Sequence, residues 1–238
     1  MSDMTNILSE AVKQFDLTLS EAELNAFDTY ADMIRERNKV VNLTSILDDE
    51  GMAIKHFADS LALVQYIDNK KASLIDVGTG AGFPGIPLKI ALPELNVTLM
   101  DALNKRLVFL QDVTNELSLN KVNFVHARAE DGGRDKKYRE KFDIATARAV
   151  ASLPVLCEYC LPFVKVGGVF LAMKGHSEDE ISESAKAVKV LGGKIERVDE
   201  FMLPGTDMTR SIVVVRKVKN TPPQYPRKAG QPSKSPIA

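Results

Sequence analysis

The chain has 238 residues, 45% of them hydrophobic, enough to bury a full core as one α/β domain with additions. No run approaches the length of a membrane span and the first six residues lack a basic-then-apolar export layout; with only two cysteines, this points to a reducing cytoplasm. The net charge of −1 hides an asymmetry: residues 216–238 carry six basic side chains and no acidic one, which leaves −7 on the rest.

Residues 1–70 read as helices. Ser20 to Glu23 is a capping box, and Leu24, Phe27, Tyr30, Ala31 and Ile34 recur at helical spacing. Asn42-Leu43-Thr44-Ser45 breaks the pattern, and a second helix is predicted from about Asp48 to Ile67. From 71 to 218 strand and helix signals alternate, which argues for a mostly parallel sheet covered on both faces. Strands are predicted at 73–77, 96–101, 122–126, 142–147 and 167–173, with helices at 85–92, 103–118, 152–164 and 178–191. Pro93 stops the first of these helices, and Ser177 with Glu180 forms a second capping box. Strands at 194–202 and 210–218, joined through Pro204-Gly205, are read as an antiparallel pair. Cys157-x-x-Cys160 lies in an apolar helical run without further ligands nearby, so buried thiols are expected and no metal site. Residues 219–238 form a Pro-rich basic tail, expected to be extended and mobile and suited to a polyanion such as RNA or, more simply, to solubility.

The turn after the first predicted strand carries the most chemistry. Glycines at 78, 80, 82 and 85 let a ligand approach the backbone, and the helix that follows favours electron-rich ligand atoms. Gly80-x-Gly82-x-x-Gly85 fits the dinucleotide spacing, a weak signal alone. Asp76-x-Gly78-x-Gly80-x-Gly82 resembles instead the first motif of class I S-adenosylmethionine-dependent methyltransferases, a Rossmann-like fold whose seven-stranded, mostly parallel sheet has an antiparallel last strand. An acid at this point repels a pyrophosphate and attracts the ammonium and sulfonium of S-adenosylmethionine, unless Asp76 only caps its own turn.

In open α/β sheets ligands sit beyond the C-terminal ends of the strands. That rule selects Asp101, which can accept both hydrogen bonds of a ribose diol or cap the next helix. It also selects Ala129, Glu130 and Asp131 at an adenine edge, or as a solvated loop, and Arg148 facing the reactive end of the cofactor. Phe83 is either a plug on the core or a wall of the pocket.

The segment from Asp76 to Leu88, with Phe83-Pro84-Gly85-Ile86-Pro87 inside it, is similar to the signature of the RsmG family, also called glucose-inhibited division protein B. Asn42-Leu43-Thr44, His56-x-x-Asp59-Ser60-Leu61, Asp101 with Lys105-Arg106, Ala147-Arg148-Ala149, Lys174-Gly175 and Tyr225-Pro226-Arg227-Lys228 extend the resemblance over nearly the whole chain. One departure is Arg37-Asn38, where many relatives carry an aromatic residue beside the asparagine; it bears on local packing of the N-terminal helices. The resemblance implies a monomeric bacterial enzyme that methylates guanine N7 in 16S ribosomal RNA, in a loop near the decoding site, with a small-subunit particle as substrate. It implies cofactor contacts at Gly78, Phe83, Ala129, Glu130 and Arg148, to which the motif reading adds Gly80, Gly82 and Asp101. Candidate RNA contacts are His56, Lys105, Arg106, Lys174, Arg227 and Lys228, His56 being the weakest because a lone histidine is more often a local hydrogen-bond donor.

Guanine N7 bears a lone pair and no proton, so methylation there needs alignment and electrostatics, not a general base. The sequence accordingly shows no Asn/Asp-Pro-Pro-Tyr after the fourth strand and no cysteine placed as a nucleophile, and Arg148 is the one candidate for a catalytic role. A small-molecule methyltransferase, a non-enzymatic ribosome-assembly factor and a nicotinamide-dependent oxidoreductase remain as alternatives. Asp76 and the terminal strand pair disfavour the last.

Overall fold

The computed structural model describes residues 2–148, 151–175 and 178–237. Two helices open the chain, α1 (Asp3–Ala11) and α2 (Glu21–Asn38). At the start of α2 the Ser20 hydroxyl accepts from the Glu23 amide while the Glu23 carboxylate takes the Ser20 amide, the reciprocal box expected there. The next rod, α3, is capped by Asp48 and begins at Asp49–Gly51, but it is not a plain helix. It widens to π geometry over Met52–Ala58, resumes at Asp59–Leu61 and tightens to 3-10 over Ala62–Tyr66. Such widenings redirect side chains and carbonyls and cluster at functional sites; hydrophobic spacing does not register them.

Seven strands then alternate with helices: β1 (Ser73–Val77), α4 (Gly85–Ala91), β2 (Asn96–Asp101), α5 (Asn104–Glu116), β3 (Val122–His126), α6 (Ala129–Gly132), β4 (Phe142–Arg148), α7 (Leu153–Cys160), β5 (Val164–Lys174), α8 (Glu178–Val190), β6 (Gly193–Met202) and β7 (Thr209–Lys217). A one-turn helix, α9 (Gln231–Lys234), lies in the tail. The capping box expected at Ser177 lies outside the described residues.

The sheet order is β3-β2-β1-β4-β5-β7-β6. Every pair from β3 to β5 is parallel, and β7 runs antiparallel to both β5 and β6. The strands alternate between two cores. Leu74, Val97, Leu99, Ile144, Leu171 and Val214 face one side, where α1 to α5 pack. Ile75, Val77, Met100, Ala145, Phe170 and Val215 face the other, against α7 and α8. Cys157 and Cys160 are buried in this second core as free thiols, and burial pushes the Cys157 thiol up to about 12. No helix among the described residues is long and apolar enough to cross a membrane.

The tail corrects an expectation. It is packed against the body, with Thr221, Pro226 and Pro232 buried. Arg139 donates to the carbonyls of Thr221 and Tyr225 at 2.7 and 2.8 Å, and Arg134 to that of Pro226 at 2.7 Å. The prolines lack N–H groups, so residues 221–226 join no sheet or helix, and arginines of the body satisfy their carbonyls instead.

Candidate active site

The strand order reverses between β1 and β4, which opens a crevice at their C-terminal ends. Beyond β1 the chain turns over the end of β2. The amides of Gly78 and Thr79 donate to the Met100 carbonyl at 2.9 and 3.0 Å, and that of Gly80 donates to Asp101 Oδ2 at 3.0 Å. Gly80 has φ of +62°, and a β-carbon there would meet nothing closer than 4.0 Å, because it would point into an open cradle. Gly82 is a glycine for another reason: its β-carbon would lie 2.5 Å from the Tyr30 hydroxyl oxygen. Gly82 therefore packs towards the N-terminal helices and does not line the cavity, unlike the other glycines expected to hold cofactor.

Asp76 departs from its electrostatic role. It is fully buried and absent from the cavity wall. Its Oδ2 accepts from the Thr79 hydroxyl at 2.7 Å and from the Gly85 amide at 3.0 Å, so the acid ties the turn together. Burial raises its pKa to about 6 against the lowering by those two bonds.

The cavity over the turn measures about 530 Å³, ordinary for a small-molecule site. Gly78, Thr79, Gly80, Ala81, Phe83, Asp101, Ala129, Glu130 and Arg148 all line it. Asp101 reconciles its two readings. It caps the approach to α5, accepting from the Leu103 amide at 2.8 Å, yet it also faces the cavity. A carboxylate has about four acceptor directions, and one of those used here is a long 3.4 Å contact from Arg106, so capacity remains for a diol. Glu130 is buried and not the solvated loop residue it could have been; Asp131 is exposed.

One wall is aromatic and cationic. Phe83 is buried in the first core and also lines the cavity, so it serves as plug and wall together. The His56 ring stacks on it at 4.5 Å, and the Arg148 guanidinium lies 4.7 Å from its centroid. Arg148 Nη1 donates to the Lys55 carbonyl at 3.1 Å and to Asp59 Oδ2 at 3.0 Å, both groups presented by the widened stretch of α3 and the turn after it. His56 is buried, and desolvation followed by the Arg148 charge lowers its pKa to about 4. A guanidinium only donates, so the ring presents the Nδ1 lone pair to Arg148, 3.5 Å away, and donates through Nε2 to the Thr44 hydroxyl at 2.8 Å.

Behind this wall is a second cavity of about 570 Å³ that shares His56 and Arg148. Lys55, Lys174 and Arg210 also line it, with Ile46, Met173 and Met208 as apolar surface and Asp59 the one acid among the described lining residues. Asp59 is buried between Arg148 and Arg210, whose Nε lies 3.2 Å from Oδ1. Arg210 and Lys55 escaped the sequence reading. Arg210 sits in a strand with no motif around it, and Lys55 lies in the π segment, which hydrophobic spacing does not register.

The expected RNA contacts do not form one group. His56 and Lys174 line the second cavity, Lys174 also pairing with Glu180 at 2.8 Å. Arg106 pairs with Asp101 on the first cavity, while Lys105 and Lys228 are exposed. Arg227 is turned inward onto buried Glu158 at 2.6 Å. Its charge is therefore neutralised inside the protein. Among the described residues no group of three or more His, Cys, Asp or Glu side chains is placed to hold a metal ion.

The residues fit S-adenosylmethionine on their own chemistry. The cradle is open at Gly80, and Asp101, which faces the cavity, keeps acceptor capacity. The solved structure of an S-adenosylmethionine-dependent O-methyltransferase from Thermotoga maritima superposes with a TM-score of 0.55 at 14% identity, covering 81% of this chain and 72% of that one. A putative methyltransferase from Bacillus halodurans superposes with a TM-score of 0.55 at 15% identity, over 68% of this chain and 100% of the other. These likenesses show the fold of class I S-adenosylmethionine-dependent methyltransferases, and the match to an rRNA methyltransferase family makes S-adenosylmethionine the methyl donor. The profile of the rRNA small subunit methyltransferase G family, GidB, matches residues 23–212, and the chain belongs to that family. Ribosomal RNA small subunit methyltransferase G from Acetivibrio thermocellus is 53% identical to it over 234 residues, 98% of this chain and 97% of the relative.

Proposed function

We propose that the protein transfers a methyl group from S-adenosylmethionine to N7 of a guanine in 16S ribosomal RNA, in a loop near the decoding site, acting as a monomer on a small-subunit particle. The observation that carries this reading is the pair of cavities sharing the Arg148 and His56 wall, one suited to the donor and one cationic. The choice of N7 and of the loop rests on the resemblance in sequence to the family.

Bound in the first cavity, S-adenosylmethionine supplies a methyl group on a positively charged sulfur. The chain's part is placement. Gly78 and Gly80 give the backbone clearance, Asp101 accepts from a ribose diol, and Ala129 with Glu130 borders the far side. Arg148 and Phe83 close the wall towards the second cavity, where Ile46, Met173 and Met208 offer surface for a base face and Lys55, Lys174 and Arg210 offer charge for its phosphates. N7 has no proton to remove, and His56, neutral at pH 7, is held in one tautomer as part of the wall, not as a base. Alignment of the acceptor across that wall is what accelerates an in-line transfer.

A small-molecule methyltransferase would have no use for a cavity lined by two arginines and two lysines around one acid. Incubating the enzyme with labelled donor and small-subunit particles from cells lacking it, then mapping the RNA by mass, tests the reading. One 7-methylguanosine gained per particle is expected; label on another atom or in another RNA would overturn it.

A further inference from the structure

The basic tail did not become the mobile RNA arm its composition suggested, and it lies beyond the segment that the family profile matches, which ends at Ile212. Its end runs to the donor cavity: Gly230 and Ser233 line it, beside Glu130 and Tyr159. Two contacts hold this stretch. The Gly230 amide donates to Glu130 Oε1 at 2.7 Å, and Glu130 is itself buried in the cavity wall. The other is Arg227 on Glu158 of α7. The Arg227 amide donates to Oε1 at 2.7 Å, and its guanidinium reaches both oxygens, Nε to Oε1 at 3.0 Å and Nη2 to Oε2 at 2.6 Å.

A carboxylate buried to this degree gains little net stability from its partner, because desolvation offsets the attraction. What a forked guanidinium on both oxygens does supply is a fixed position for the backbone that carries it. Here that backbone is the stretch leading within three residues to Gly230.

We propose that residues 227–233 belong to the methyl-donor site as a strap, latched by Arg227 on Glu158, that completes one wall of the cavity and holds the Glu130 carboxylate in place. Arg227 and Glu158 are then positioning residues for the donor, acting through Gly230 and Glu130. This rests on the donor reading of the first cavity. With the latch open, Glu130 loses its backbone donor and the wall loses two residues, so the donor binds weakly while chemistry on bound donor is unchanged.

The test measures binding of S-adenosylhomocysteine by calorimetry, ligand-free thermal unfolding, and KM and kcat for S-adenosylmethionine. The proteins are the full chain, its Arg227→Gln and Arg227→Lys variants, and a chain ending at Pro226 that carries Glu158→Gln. The last leaves no unpaired charge at Glu158 and keeps the Arg134 and Arg139 anchors on residues 221–226. Arg227→Gln and the shortened chain are expected to bind at least tenfold more weakly and to show KM raised in proportion with kcat within twofold, and Arg227→Lys to recover part of the loss. Unchanged affinity in a folded shortened chain, or a lowered melting temperature with the same affinity, would overturn the strap. Failure of the full chain to bind would remove the donor reading, and the strap with it.

Discussion

The two cavities share a wall and are built in opposite ways. The donor side is floored by backbone: a turn of consecutive residues, Gly78 to Ala81, with Phe83 beyond it and the acid at the next strand end. The cationic side is made of side chains from α3, β4, β5 and β7, gathered around one buried acid, Asp59. A backbone cradle tolerates variation in side chains but little in glycine. A charge cluster tolerates backbone variation but depends on every partner, because removing one leaves another buried and unpaired.

That difference can be broken from either side. The largest effect is expected on the donor side. Gly80→Val would place a branched side chain in the open cradle at a φ of +62°, and binding of S-adenosylhomocysteine should vanish in calorimetry while the circular dichroism spectrum is retained. Wild-type affinity in that variant would sink the cradle. Next comes the shared wall. Arg148→Ala removes the contact with Phe83 and a partner of Asp59, and kcat/KM for methyl transfer should fall by about 10²-fold, the scale of acceptor misalignment. A loss below tenfold in single-turnover assays would take Arg148 out of the mechanism.

Arg210→Ala touches the cationic side alone. RNA binding should weaken by about tenfold, with a salt dependence shallower by about one ion and donor affinity unchanged. The reverse pattern, donor affinity lost and RNA binding intact, would erase the division between the cavities. The smallest effect concerns His56. Its folded pKa is depressed to about 4, so its contribution to stability is complete above its ordinary value of 6.5 and is lost as pH falls through that value towards 4. Between pH 6 and 8 the ring should stay neutral and kcat/KM should show no titration from it. A midpoint near 6.5 in the NMR titration of His56 would contradict its burial against Arg148.

Sequence legibility follows the same division. β1, β2 and β3 end where the pattern placed them, because alternating apolar residues and glycine or polar breaks decide a strand locally. The turn was readable for the same reason. Of the two readings open for Asp76, tying its own turn is the one found, and the local pattern does not select it because charge is visible in sequence and burial is not. The tail packs where its composition suggests a mobile arm, because composition registers six basic residues but not the buried Glu158 that takes one of them. Arg210 had no local signal at all, since its role comes from contact with Asp59 of α3, 151 positions away.

The amino-acid sequence by itself determined the α/β order, the glycine cradle and the acid beyond it, since periodicity and backbone freedom act over a few residues. Only the tertiary structure decided which charges meet: Asp59 between two arginines, Arg227 on Glu158, Gly230 on Glu130. Pairings of that kind depend on separation in space and on exclusion of water, and neither is written in the order of residues.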